Sequence, residues 1–95
     1  MHFPPKLKLR TRIFRLNLNF VVMTKPGMML EIVVVAYNEV HARLLSSIHA
    51  GIEGNDMWKD KKVTDCQEVG HPNSTNHKPQ VLARYVQTPY KDGDQ

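Results

Sequence analysis

The N-terminal part of this chain alternates cationic and uncharged side chains with a period of two. The even positions of residues 6–13 hold Lys6, Lys8, Arg10 and Arg12, and the odd positions hold leucine, threonine and isoleucine. Successive side chains of a strand point to opposite faces, whereas a helix aligns positions three and four apart. The segment therefore predicts an extended strand with one basic face and argues against a helix.

Positive charge is concentrated in the first thirty residues, which contain no acid before Glu31. The remaining residues carry seven lysines and arginines against nine acids, so the net charge of +4 comes from the N-terminal part. A basic strand face complements an acidic surface. We therefore expect the partner-binding residues to be Lys6, Lys8, Arg10, Arg12, Arg15 and Lys25.

Three interpretations of this basic segment remain open. It could occupy an acidic protein surface, which makes the chain a non-enzymatic binding or regulatory protein. It could bind nucleic acid as an accessory protein or a small ribonucleoprotein subunit, because like-facing strand residues lie about 6.6 Å apart, close to the phosphate spacing. It could also be a solvated edge strand, where cations oppose aggregation. Association through a strand edge, or formation of a homo-oligomer, is a further possibility.

The hydrophobic pattern predicts a long first strand over residues 7–22 with one irregularity. The apolar positions are odd-numbered up to Ile13 and even-numbered from Phe14 onward. A β-bulge at this step would return both apolar sets to one face, with Arg15 on the solvent face. Two strands that meet at a bend are the alternative.

A turn and a second strand follow. Pro26 and Gly27 have the conformational preferences of the two central residues of a type II turn. Residues 28–37 then include the β-branched run of residues 32–35, which lacks alternation and predicts a central strand covered on both faces. The two strands should form a hairpin.

A helix is predicted over residues 39–50. Asn38 can cap its N-terminus, and Gly51 and Gly54 are candidate stop signals. One face carries apolar residues at helical spacing and should be core: Val40, Leu44, Leu45, Ile48 and Ile52.

Residues 61–69 and 81–87 are further strand candidates, and residues 1–5 and 88–95 read as a loose arm and a polar tail. The chain of 95 residues fits one small domain. The predicted class is α+β, with the order β-β-α-β(-β) and one helix packed on a mainly antiparallel sheet.

The residues that could act as nucleophiles or metal ligands do not form a known catalytic or metal-binding pattern. Cys66, His71 and His77 have the spacing C-x4-H-x5-H, which matches no compact zinc motif and lacks a fourth ligand. Ser46 lies within the predicted helix without the turn that hydrolases place around a nucleophile. We therefore expect no catalytic residues, no metal, no cofactor and no enzymatic activity.

A single cysteine, Cys66, excludes an intrachain disulfide and predicts a reducing, cytoplasmic location. No apolar run approaches the ~18 residues that a membrane span needs, so we expect no membrane partner.

Residues 30–68 contain a strand, the tetrapeptide Ala36-Tyr37-Asn38-Glu39, a helix with Ala42, and a short strand. This arrangement resembles small bacteriophage and mobile-element proteins, including a coliphage inhibitor of bacterial RNA polymerase. The resemblance assigns no site residues. It implies a binding protein, such as a phage- or mobile-element-type inhibitor, that works by occupying the surface of a partner.

Overall fold

The computed structural model describes residues 10–73 and 77–89. In these ranges the chain forms β1 (Arg12–Leu18), β2 (Met29–Ala36), α1 (Glu39–Ile48), β3 (Thr64–Gly70) and β4 (Gln80–Val86), with one turn of 3-10 helix at Asp56–Lys59. The strands pair antiparallel in the order β3-β1-β2-β4, and α1 packs on one face of the sheet. The predicted α+β class and its element order are confirmed.

The first strand is shorter than predicted. β1 ends at Leu18 because the chain turns at once, with the Val22 N–H donating to the Asn19 carbonyl at 3.1 Å. Residues 1–9 and 90–95 lie outside the described residues, and with them the predicted arm, the start of the predicted strand and most of the predicted tail.

The turn before β2 has the predicted type II geometry. Gly27 has a φ of 95°, and the Met28 N–H donates to the Lys25 carbonyl at 3.1 Å. Only glycine adopts this φ readily, so Pro26 and Gly27 determine the turn locally. β1 and β2 then pair without interruption from Arg12 opposite Ala36 to Asn17 opposite Glu31.

A register shift occurs at the predicted step between Ile13 and Phe14, but the extra residue belongs to β3. Ile13 pairs with Gly70 and Phe14 with Glu68, which leaves Val69 as the additional residue. β1 itself keeps its alternation, so the expectation that both apolar sets share one face is wrong. Phe14 faces α1, whereas Ile13 lies on the opposite face, where the segment after β3 covers it.

β2 is an inner strand with covered residues on both faces, as its β-branched run predicts. Ile32 and Val34 contribute to the core under α1 and are fully buried. Val35 points to the other face and is also buried, against the segment that includes Pro72.

α1 begins where the sequence predicts and ends two residues earlier. The Asn38 side chain accepts a hydrogen bond from the His41 N–H at 2.8 Å and caps the helix. Gly51 does not cap its end. A Cβ on Gly51 would lie 2.3 Å from the Gly27 carbonyl oxygen, so glycine is needed there for the close approach of two chain segments.

α1 turns its predicted core face toward solvent and buries the opposite face against the sheet. Val40, Leu44 and Ile48 were expected in the core, but they are 79%, 48% and 63% exposed. The buried positions are Ala42, Arg43, Ser46 and Ser47, and Leu45 is half-buried against the core. The predicted apolar face, including Ile52 beyond the helix, is therefore mostly solvent-exposed.

Arg43 explains this rotation. The residue is buried, with 7% of its surface exposed. Its guanidinium donates to Glu39 Oε2 at 2.8 Å, to the Trp58 carbonyl at 3.2 Å and to Thr64 Oγ1 at 2.7 Å. A further bond reaches the Thr64 carbonyl at 3.3 Å. A buried cation is tolerated only when its donors are satisfied. Arg43 thus connects α1 to the 3-10 turn and to β3.

Glu53 holds the segment after α1 against the sheet. Its carboxylate accepts hydrogen bonds from the Met29 N–H at 2.9 Å and the Gly51 N–H at 3.0 Å, and also from the Trp58 indole N–H. Trp58, in a stretch of mostly polar residues, is consequently fully buried in the core cluster. It is the largest of the fully buried side chains.

We predict that Arg43→Met lowers the free energy of unfolding by about 2–4 kcal/mol, because it leaves the Trp58 and Thr64 oxygens buried without donors. Equilibrium urea denaturation measures the change. Glu39→Gln is the control and should cost below about 1 kcal/mol, since this carboxylate is substantially exposed. Wild-type stability of Arg43→Met would contradict the assigned role.

We predict that Leu44→Ala costs about 1 kcal/mol or less, because the side chain is already half in water. Leu16→Ala, at a fully buried position, should cost about 2–5 kcal/mol in the same denaturation experiment. Equal losses from the two substitutions would show that α1 has the rotation predicted from sequence.

Candidate binding surfaces

The structure separates the residues of the predicted basic patch. Lys6 and Lys8 lie outside the described residues. Arg12 pairs with Glu68 at 3.1 Å, and Arg15 pairs with Glu31 at 3.0 Å.

The two arginines project from opposite faces of the sheet, because β1 pairs with β2 without a bulge. Arg12 lies opposite Ala36, on the face that α1 covers, and Arg15 lies opposite Val33 on the other face. Lys25 is exposed in the turn at the far end of β1. In the described part of the chain the predicted residues therefore do not form one continuous patch.

β1 is also not the edge strand that the basic pattern suggested. It lies between β3 and β2, so its backbone hydrogen-bonding groups are directed to both neighbours. The edges of the sheet are β3 and β4. Strand-edge association, if it occurs, uses these two strands.

The exposed side of α1 carries three large apolar side chains. Val40, Leu44 and Ile48 are spaced four residues apart and form one row, which we call the α1 ridge. At its start His41 stacks on Tyr37, with 5.2 Å between ring centroids, and His41 Nδ1 accepts the Tyr37 N–H at 3.2 Å. The sequence predicted Val40, Leu44 and Ile48 as one apolar face of the helix, but it placed that face in the core.

One signal for the correct side was present in the sequence. Ala42, Ser46 and Ser47 are small, and small side chains allow a helix to approach a sheet closely. The Ser46 hydroxyl donates to the Ala42 carbonyl at 2.8 Å, and the Ser47 hydroxyl donates to the Leu44 carbonyl at 2.7 Å. The two hydroxyls are therefore buried with hydrogen-bond acceptors supplied by their own helix.

The cysteine and the two histidines of the C-x4-H-x5-H spacing are placed on different faces of the sheet. Cys66 lies opposite Leu16 and packs against the core under α1. His71 and His77 line an open cavity of about 230 Å³ on the other face, together with Ile13, Val35, Pro72, Asn73 and Leu82. Within residues 10–73 and 77–89, no group of three candidate ligands is close enough to hold a metal ion.

Burial raises the pKa of the Cys66 thiol from 9.0 to about 11, and the nearby Glu39 carboxylate adds to this effect. The positive charges of Arg43 and Lys61 oppose it only in part. The thiolate is the nucleophilic form of cysteine. The environment of Cys66 therefore favours the unreactive thiol.

Among the described residues, no helix combines the length and the apolar content needed to cross a membrane.

We predict that alkylation of Cys66 by iodoacetamide in the folded protein keeps accelerating up to about pH 11. Because the folded state binds this proton more tightly than the unfolded state, the contribution of Cys66 to stability is complete below pH 9 and is lost as the pH rises through about 11. Denaturation of wild type and Cys66→Ser across this range isolates the effect. An alkylation midpoint near 9 in the folded protein would contradict it.

Comparison with known proteins gives no relative for this chain. No protein family, no curated protein and no solved structure matches it significantly. The surfaces of the molecule are therefore the basis on which its function is inferred.

Proposed function

We propose that this protein is a non-enzymatic binding protein that occupies an acidic surface of a protein partner and thereby inhibits it. The observation that carries the proposal is the α1 ridge, where Val40 and Ile48 are 79% and 63% exposed. Large exposed apolar groups arranged in one row are typical of interaction sites. Association would remove them from water.

The α1 ridge has the spacing used by helices that bind in a groove. Such helices contact their partners through residues three, four and seven positions apart, and the ridge repeats the four-residue step. The opposite side of α1 is held by the hydrogen bonds of Arg43, so the ridge is presented by a rigid support. A rigid element loses little conformational freedom on binding.

The basic N-terminal segment is the reason for proposing an acidic partner surface. Arg12 lies on the α1 side of the sheet, opposite Ala36, where Glu68 pairs with it at 3.1 Å, and the exposed Arg10 precedes it. Lys6 and Lys8 continue the basic segment in sequence. Positive charge near an apolar contact accelerates association with an acidic partner and excludes wrong partners.

Nucleic acid is the alternative partner for the basic segment. The placement of Arg12 and Arg15 on opposite faces of the sheet argues against one continuous row of cations along a phosphate backbone. The two alternatives respond differently to nuclease, so one experiment separates them.

We predict that the double variant Val40→Ser and Ile48→Ser folds normally but loses a protein that the wild type retains from cell lysate. Affinity capture followed by mass spectrometry measures retention. The matched control is Val69→Ser with Tyr85→Ser, which replaces two exposed apolar residues outside α1. The control variant should retain the same protein, and nuclease treatment should not release it.

Replacement of Lys6, Lys8, Arg10 and Arg12 by Gln should weaken the same association and reduce its salt dependence. Retention that is unchanged in the ridge variant would contradict the proposed site. Release of the partner by nuclease would assign the association to nucleic acid.

A further inference from the structure

The connection between β1 and β2 carries a second exposed apolar surface. Phe20 is 97% exposed, Met23 is 92% exposed and Val21 is 60% exposed. We call these three residues the apolar tip. They contribute nothing to the core, so their exposure calls for another explanation.

Hydrogen bonds hold the base of the apolar tip in place. The Asn19 N–H donates to the Val63 carbonyl at 2.9 Å, and its side-chain amide donates to the Lys62 carbonyl at 2.8 Å. The Asn19 side chain also accepts the Val21 N–H at 3.1 Å. The tip is therefore attached to the loop before β3, and its side chains point away from a structured base.

Lysines surround the apolar tip. Lys25 follows it in the same connection, and Lys61 and Lys62 lie in the loop to which Asn19 is bonded. All three are exposed, and none of the ion pairs among the described residues involves them. Two acids lie nearby: the Asp60 carboxylate accepts the Lys62 N–H at 2.9 Å, and the exposed Asp65 lies on β3 opposite Asn17. Among the described residues around the tip, the three lysines outnumber these two acids.

We propose that the apolar tip enters the headgroup layer of an anionic lipid bilayer while Lys25, Lys61 and Lys62 contact the lipid headgroups. Peripheral attachment of this kind buries apolar side chains about 5–10 Å deep and gains further strength from basic residues near an anionic surface. This attachment needs no spanning segment. It departs from the sequence-based expectation of no membrane partner, which rested on the absence of a long apolar run.

The chemistry of the tip favours lipid over nucleic acid. A single-stranded nucleic acid stacks its bases on aromatic rings, and Phe20 is the one aromatic residue of the tip. Val21 and Met23 have no ring and would stay in water beside a base. A bilayer surface would accept all three side chains.

The proposal is tested by co-sedimentation of the whole chain with vesicles of phosphatidylcholine alone and of phosphatidylcholine mixed with phosphatidylserine. Wild type should bind the mixed vesicles more tightly, and added salt should weaken this binding. Phe20→Ser with Met23→Ser should reduce the affinity roughly tenfold or more, since two apolar side chains lose their burial. Lys25→Gln with Lys61→Gln and Lys62→Gln should abolish the preference for the anionic lipid.

Val69→Ser with Tyr85→Ser is the matched control, because it removes two exposed apolar residues outside both proposed surfaces and should leave vesicle binding unchanged. Phe20→Trp provides a direct measure of insertion. Brominated lipid should quench the new indole, while the fully buried Trp58 keeps its emission.

Absence of wild-type binding to the mixed vesicles would overturn the proposal. So would equal binding by the tip variant or an unquenched Trp at position 20. Binding of a single-stranded oligonucleotide that requires Phe20, without vesicle binding, would assign the tip to nucleic acid instead.

Discussion

The hydrogen bonds of the buried Arg43 guanidinium determine how α1 sits on the sheet, and the exposed surfaces of the molecule follow from that placement. The donors of Arg43 reach Glu39 within the helix, the Trp58 carbonyl after it, and two oxygens of Thr64 on β3. A charge removed from water loses its hydration, and only such a complete set of acceptors compensates for that loss. Rotating α1 to bury Val40 would place this guanidinium away from all acceptors outside the helix.

The remaining buried side of α1 is compatible with the same rotation. Ala42, Ser46 and Ser47 are small, and the two hydroxyls satisfy themselves on carbonyls of the helix. The apolar volume that α1 does not supply comes from elsewhere, chiefly from Trp58, which the Glu53 carboxylate holds by its indole N–H. The α1 ridge is left in water as a consequence, and the proposed binding function gives it a role.

The two proposed contact surfaces belong to different elements. The α1 ridge lies on the helix that follows β2, whereas the apolar tip with Phe20 lies in the connection between β1 and β2. Because β1 is an inner strand, neither surface depends on an open sheet edge.

Local sequence signals determined the turn at Pro26 and Gly27, the Asn38 cap and the helix start, because each depends on neighbours within a few residues. The inner position of β2 was also readable, from an apolar run without alternation. Only the tertiary structure decided the rotation of α1, the burial of Trp58 and the separation of Arg12 from Arg15. These features depend on partners far apart in sequence: the acceptors of Arg43 lie up to 21 residues away, and Glu68 lies 56 residues from Arg12. Helical periodicity defines an apolar face, but it does not state whether that face meets the sheet or the solvent.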